Sequence, residues 1–176
     1  MKIEELETVL SKYKMHTYKA SCYGEKVSLP SMLTIFRELI INNIPPTQEE
    51  FIKCFKEKHP ALKMGWLPAR LSRAYLSYVR EYHLGYLLRR HFKNVVYDEA
   101  ADIAGVDYII KYKHKTYNIH AYVNTKNGRY WRKVKDSRHV FTGNHLDLPL
   151  DLSQGKHCGE FILYTDGMVK NLKNRM

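Results

Sequence analysis

The residues whose types and spacing could do chemistry lie between Asn94 and Thr125. Gly105-Val106-Asp107 leads into a β-rich run, Val106 to Tyr112, and Lys113-His114-Lys115 makes a tight basic turn. Tyr117 to Val123 returns as the hairpin partner. Side chains alternate faces along a strand, so Ile119, Ala121 and Val123 form an apolar face while Asn118 and His120 point together to the other. A hairpin of this length brings Asp107 near that pair. Further carboxylates available to this region are Glu81, Asp98, Glu99 and Asp102. Without a cation, acids gathered there would repel one another. The alternative for Asp98, Glu99 and Asp102 is a solvated loop that pairs with neighbouring lysines.

The elements that must position these residues follow from periodicity and capping. Ile3, Leu6, Val9, Leu10 and Tyr13 recur at helical spacing and predict a helix over 3–14. Pro30 suits a first helical turn, and Met32, Ile35, Phe36, Leu39 and Ile40 make an apolar stripe ended by Asn42-Asn43-Ile44-Pro45-Pro46. Thr47 with Glu50 forms a capping box for a helix that runs to about Lys58. A long helix follows from about Ala69 to Phe92, with Leu71, Ala74, Tyr75, Tyr78, Tyr82 and Tyr86 on its buried face. Short strands are expected at Val95–Tyr97 and Glu160–Tyr164, and a basic helix over 126–139. The expectation is an α+β protein: a helical region over 1–68, then a core over 69–176 with a mixed sheet flanked by helices. The two helices either side of Asn42–Pro46 have a helix-turn-helix-like spacing, with an ordinary helix pair as the alternative.

Asp107, Asn118-Ile119-His120 and the preceding helix together resemble the PD-(D/E)xK, restriction-endonuclease-like nuclease superfamily over about residues 70–170. In that family an Asp begins the second strand and Glu-x-Lys lies on the third; here Asn118 and His120 follow Asp107 by 11 and 13 residues. The resemblance implies a restriction-endonuclease-like core and hydrolysis of DNA phosphodiester bonds by a metal-activated water. Asp107, Glu81 and Asn118 would hold Mg2+ or Mn2+, and His120 would replace the lysine. It also implies a flanking helix at 126–139 and a further strand at Glu160–Tyr164. The departures matter, because Asn118 offers only a neutral carbonyl and His120 lacks a lysine's fixed charge. Two functions follow: a metal-dependent endonuclease of mobile-element or defence biology, or a non-catalytic nucleic-acid-binding protein on the same scaffold. A protein-binding role for the basic surface stays open.

Charge supports a polyanionic partner. The 176 residues carry 29 Lys and Arg against 18 Asp and Glu, a formal net charge of +11, which favours nucleic acid over a membrane surface. The expected partner is DNA; RNA and a homodimer stay open. Over 126–139, Lys126, Arg129, Arg132, Lys133, Lys135 and Arg138 are interleaved with Tyr130 and Trp131. The cations are placed to contact phosphates, and an aromatic could stack on an unpaired base. The alternative is a solvated basic helix with Trp131 and Val134 packed on the sheet. Most of the 14 tyrosines are expected in core positions with the hydroxyl kept wet or bonded.

Other classes fit poorly. The nine histidines show no His-x-x-x-His or His-Glu-x-x-His spacing, which argues against a zinc hydrolase. No Gly-x-x-x-x-Gly-Lys loop points to ATP. Cys22, Cys54 and Cys158 are odd in number and widely spaced, which argues against a disulfide framework or a structural zinc site and fits a reducing compartment. The start, Met-Lys-Ile-Glu-Glu-Leu-Glu, has no apolar core for a signal peptide, and no stretch approaches the ~18 to 20 apolar residues of a membrane helix. The expected location is cytoplasmic.

Overall fold

The computed structural model describes residues 1–19, 29–98, 101, 105–138 and 143–176, with side chains excepted over 135–138. It is an α+β protein. The chain divides into two compact units, Met1–Arg80 with Cys158–Phe161, and Glu81–His157 with Ile162–Met176. The sequence places the change of character at 68/69, where a helix begins; the units divide inside that helix.

The first unit holds α1 (Ile3–Leu10), α2 (Met32–Glu38), α3 (Gln48–Lys58) and the first half of α4 (Leu67–His91). Ser31 caps α2, so Pro30 precedes the cap instead of opening the helix. The Thr47–Glu50 capping box forms as expected: the Thr47 side chain accepts from the Glu50 amide and Glu50 accepts from the Thr47 amide. Phe36, Phe51 and Tyr75 meet edge-on or tilted with ring centres about 6 Å apart and are fully buried, where aromatic pairs gain beyond plain area burial. The Tyr75 hydroxyl donates to the Pro46 carbonyl at 2.9 Å, and burial holds it protonated far above the ordinary tyrosine range. Asn42 and Asn43 both take positive φ in a turn bridged by Ile41 and Ile44. Residues 39–47 separate α2 from α3, well beyond the roughly three- to four-residue turn of a helix-turn-helix. Cys158 is buried and its thiol donates to the Glu7 carbonyl.

The second unit is built on a four-stranded sheet of order β1 (Asn94–Val96), β2 (Tyr108–Tyr112), β3 (Lys115–Val123), β4 (Asn144–Leu150). The β1–β2 and β2–β3 pairs are antiparallel and β3–β4 is parallel. The chain passes from β3 to β4 through α5 (Lys126–Arg138), the crossover that a parallel pair requires. Tyr112 pairs with Lys115, so Lys113 and His114 alone make the hairpin turn, both at positive φ as a two-residue primed turn demands. Tyr108, Ile110, Tyr117, Ile119, Leu148 and Leu150 are buried on one face. The Tyr108 hydroxyl crosses to α4 and donates to the Glu81 carbonyl at 2.9 Å. Gly85 admits it, since a Cβ there would stand 2.5 Å from that oxygen. The other face carries Asn118 and His120, side by side as the alternation predicts.

One expectation about the strands needs correction. Glu160–Tyr164 does not extend the main sheet: Phe161–Leu163 (β6) pairs with Lys156–Cys158 (β5) in a separate two-stranded sheet. The strand after the basic helix is β4, whose Pro149 disguises it in sequence. Pro lacks a ladder donor, and β4 tolerates it as an edge strand. The chain then ends in α6 (Asp166–Asn174), capped by Thr165. Among the described residues, no helix is long and apolar enough to cross a membrane.

Candidate functional site

The polar face of the sheet is assembled by register. Parallel pairing sets Asn118 opposite His145 and His120 opposite Asp147, so four polar side chains from neighbouring strands share one patch. Asp107 enters from the residue before β2: its amide donates to the Ile119 carbonyl at 2.9 Å, and its carboxylate accepts the Ala121 amide at 2.6 Å. Asp107 and His120 are both buried. The structure therefore brings together Asp107, Asn118 and His120, three of the four residues that sequence proposes for chemistry.

The bonds among them have a direction. The His120 Nδ1 lies 2.7 Å from the Gly105 carbonyl, and its Nε2 lies 2.8 Å from His145 Nδ1. His145 Nε2 lies 3.2 Å from the Asn118 amide nitrogen. A carbonyl only accepts, so His120 carries its proton on Nδ1. In a neutral ring Nε2 then accepts from His145 Nδ1–H, which leaves His145 Nε2 to accept from Asn118. The chain Asn118 to His145 to His120 to Gly105 closes with each imidazole holding one proton. A second proton on His120, at Nε2, would point at the His145 donor and break that bond. Burial, chiefly, holds the His120 pKa below its ordinary value, with Arg132 and His145 adding to the effect; the Gly105 carbonyl and Asp147 oppose it. The two rings lie nearly coplanar, 5.1 Å between centres at 23°, as an edge-to-edge N–H···N bond requires.

Asp147 links this patch to α5. It accepts from Arg132 Nε at 2.7 Å, and the Arg132 side chain is only 11% exposed. Arg132 thus points inward and ties α5 to β4. The helix starts tight against β3: Thr125 Oγ1 accepts the Gly128 amide at 3.0 Å, and a Cβ at Gly128 would stand 2.0 Å from the Val123 carbonyl oxygen. Only glycine fits there. Lys126, Arg129, Tyr130 and Lys133 are exposed, and their i, i+3, i+4, i+7 spacing makes one outward stripe. Trp131 flanks the stripe and is 53% exposed. It does not pack on the sheet, a correction whose reason is that Arg132, one residue on, takes the inward direction. Val134 is half-buried. The side chains of Lys135 and Arg138 lie outside the described residues.

The metal set is less complete. Glu81 is half-buried on α4 and its backbone carbonyl holds Tyr108. Asp98 accepts the Ala101 amide at 2.8 Å, while Glu99 and Asp102 lie outside the described residues. Among the described residues, no group of three or more His, Cys, Asp and Glu side chains is placed to hold a metal ion. Asp107 retains the right chemistry for Mg2+ or Mn2+, but its carboxylate already holds a strand amide, and Asn118 turns its amide nitrogen to His145.

Sequence reasoning missed His145 and Asp147. Both sit on β4, which Pro149 hides from a strand search; the alternation of His145 and Asp147 with Leu146, Leu148 and Leu150 is the signal that could have found them. Comparison of the chain with protein-family models, with curated proteins and with solved structures finds no match.

Proposed function

We propose that this protein binds nucleic acid, with DNA as the expected form, through the outward face of α5, and that Asp107, Asn118 and His120 hold its sheet together without cutting phosphodiester bonds. One observation carries the reading: Lys126, Arg129 and Lys133 stand exposed on one stripe with Tyr130, while Arg132 fastens the helix from behind. Fixed cations aligned on a rigid helix neutralise phosphates and release counterions. The inward residues have a different task. His120 cannot act as a base toward water without giving up the bond from His145, because that bond occupies its only free lone pair.

The test is salt dependence on duplex DNA. Each neutralised phosphate adds a slope of about −0.9 in log affinity against log salt, so replacing Lys126, Arg129 and Lys133 together by Ala should flatten the slope by roughly two to three. An unchanged slope moves the DNA surface elsewhere.

A metal-dependent endonuclease is the second reading, and one observation favours it. Helix, strand, Asp107 leading into the second strand, Asn118 and His120 on the third, basic helix and fourth strand follow in the order the resemblance implies. Plasmid and single-stranded DNA incubated with Mg2+ or Mn2+, beside an Asp107→Ala control, decide between them. Cleavage by the unmodified chain that Asp107→Ala abolishes would overturn the non-catalytic reading.

A further inference from the structure

From the two rings on α5 we infer that the preferred partner is single-stranded nucleic acid, with bases stacked on Trp131 and Tyr130; this rests on the reading of α5 as a nucleic-acid surface. Among the described residues, Tyr130 and Trp131 are the aromatic rings exposed by more than half, 57% and 53%. They meet edge to face, ring centres 5.3 Å apart at 75°, so the pair forms an angled, partly exposed shelf. Apolar area of this size left in water is a standing cost that a partner can recover.

The surroundings decide what kind of partner. Lys126, Arg129 and Lys133 border the shelf, and Arg129 is steadied by Asn124 Oδ1 at 2.8 Å. Cations beside open π-faces are what an unpaired strand needs: phosphates meet the charges and bases meet the rings, whatever the base. A duplex offers the phosphates alone, because its base faces are already stacked on each other. The cationic stripe also extends only about 10 Å along the helix axis at a rise of ~1.5 Å per residue, against ~34 Å for a duplex turn. So few phosphate contacts leave stacking to supply much of the affinity.

The chain has two tryptophans, so Trp66→Phe leaves Trp131 as the sole indole reporter. Titration with oligothymidylate should quench its emission, and equal concentrations of duplex DNA or heparin should not. In the unmodified chain, Tyr130→Ala with Trp131→Ala should weaken oligothymidylate binding by about 10- to 100-fold, with heparin binding and the salt slope preserved. Trp131→Phe should restore most of the affinity, because it restores a ring. If duplex binds as tightly as the single strand and oligothymidylate leaves Trp131 emission unchanged, the stacking inference falls while phosphate binding by α5 stands. If heparin, duplex and oligothymidylate all fail to bind, both fall. A blue shift on phosphatidylglycerol vesicles without quenching by oligothymidylate would reassign the surface to a membrane and overturn both.

Discussion

Two clusters of rings, one in each unit, are held in different ways. In the first unit Phe36, Phe51 and Tyr75 pack with centres about 6 Å apart and no bond among the rings that specifies a donor. In the second, His120 and His145 bond directly to each other, and Gly105 and Asn118 extend the chain at its two ends by bonds with fixed direction. Apolar contact is non-directional, so the first cluster loses stability with the volume removed. A buried hydrogen-bonded chain is intolerant in another way, since one missing member orphans its neighbours on both sides. Below the tyrosine range the first should ignore pH, and the second should count protons.

The largest effect expected is in the apolar cluster. Phe51→Ala should cost about 3–5 kcal/mol in urea unfolding, and Phe51→Leu far less. A smaller penalty for Ala than for Leu would contradict simple volume loss. Next comes His120→Ala, which leaves the Gly105 carbonyl and the His145 Nδ1–H without their partner at about 2–4 kcal/mol together. The same residue gives the pH test. Its folded pKa is lowered, so the unfolded chain binds the proton more readily. The contribution is fully present above the ordinary histidine value of about 6.5 and is lost as pH falls from there through the folded value. Unfolding measured from about pH 8 downward should therefore show a decline in the parent that is shallower in His120→Phe. Equal slopes would remove the distinction between the two clusters.

Asp107 ranks third. Asp107→Ala should cost about 1–3 kcal/mol by orphaning the Ala121 amide, whereas Asp107→Asn can present a carbonyl to the same N–H and should cost about 1 kcal/mol or less. Equal losses for the two would mean that charge, not the hydrogen bond, is what Asp107 supplies. The smallest stability effect belongs to the surface: Lys126→Ala, Arg129→Ala and Lys133→Ala together should change unfolding by no more than about 0.5 kcal/mol each while altering the salt slope of binding. A large loss of stability in that triple variant would mean the stripe is structural.

Local rules were enough to read much of this from sequence. The Thr47–Glu50 box, the long helix, the basic helix and the two-strand hairpin each announce themselves within a dozen or so residues, and Asn118 and His120 share a face because strand alternation leaves no choice. What could not be read depends on pairing across long separations. His145 reaches Asn118 only because β4 runs parallel to β3 after a helical crossover, and nothing local in Asn144–Leu150, least of all Pro149, says so. Trp131 was misplaced for a related reason: apolarity suggests burial, but Asp147 on that unseen strand draws Arg132 inward and turns Trp131 to the side. Glu160–Tyr164 is a strand in a different sheet, a distinction that composition does not make.

The tight seat of α5 has a consequence for how this molecule could change over generations. Gly128 and Arg132 fasten the helix to the strands, and Arg129 adds a bond to Asn124, whereas positions 126, 130, 131 and 133 face outward and are exposed. Architecture and the proposed binding face thus lie largely on different sides of the same 13 residues. Substitutions on the outer side can retune what is bound, for charge, for ring size or for strandedness, without reopening the question of whether the chain folds. Drift at Gly128 or Arg132 has no such freedom, so the helix is a plastic surface mounted on an inflexible hinge pin.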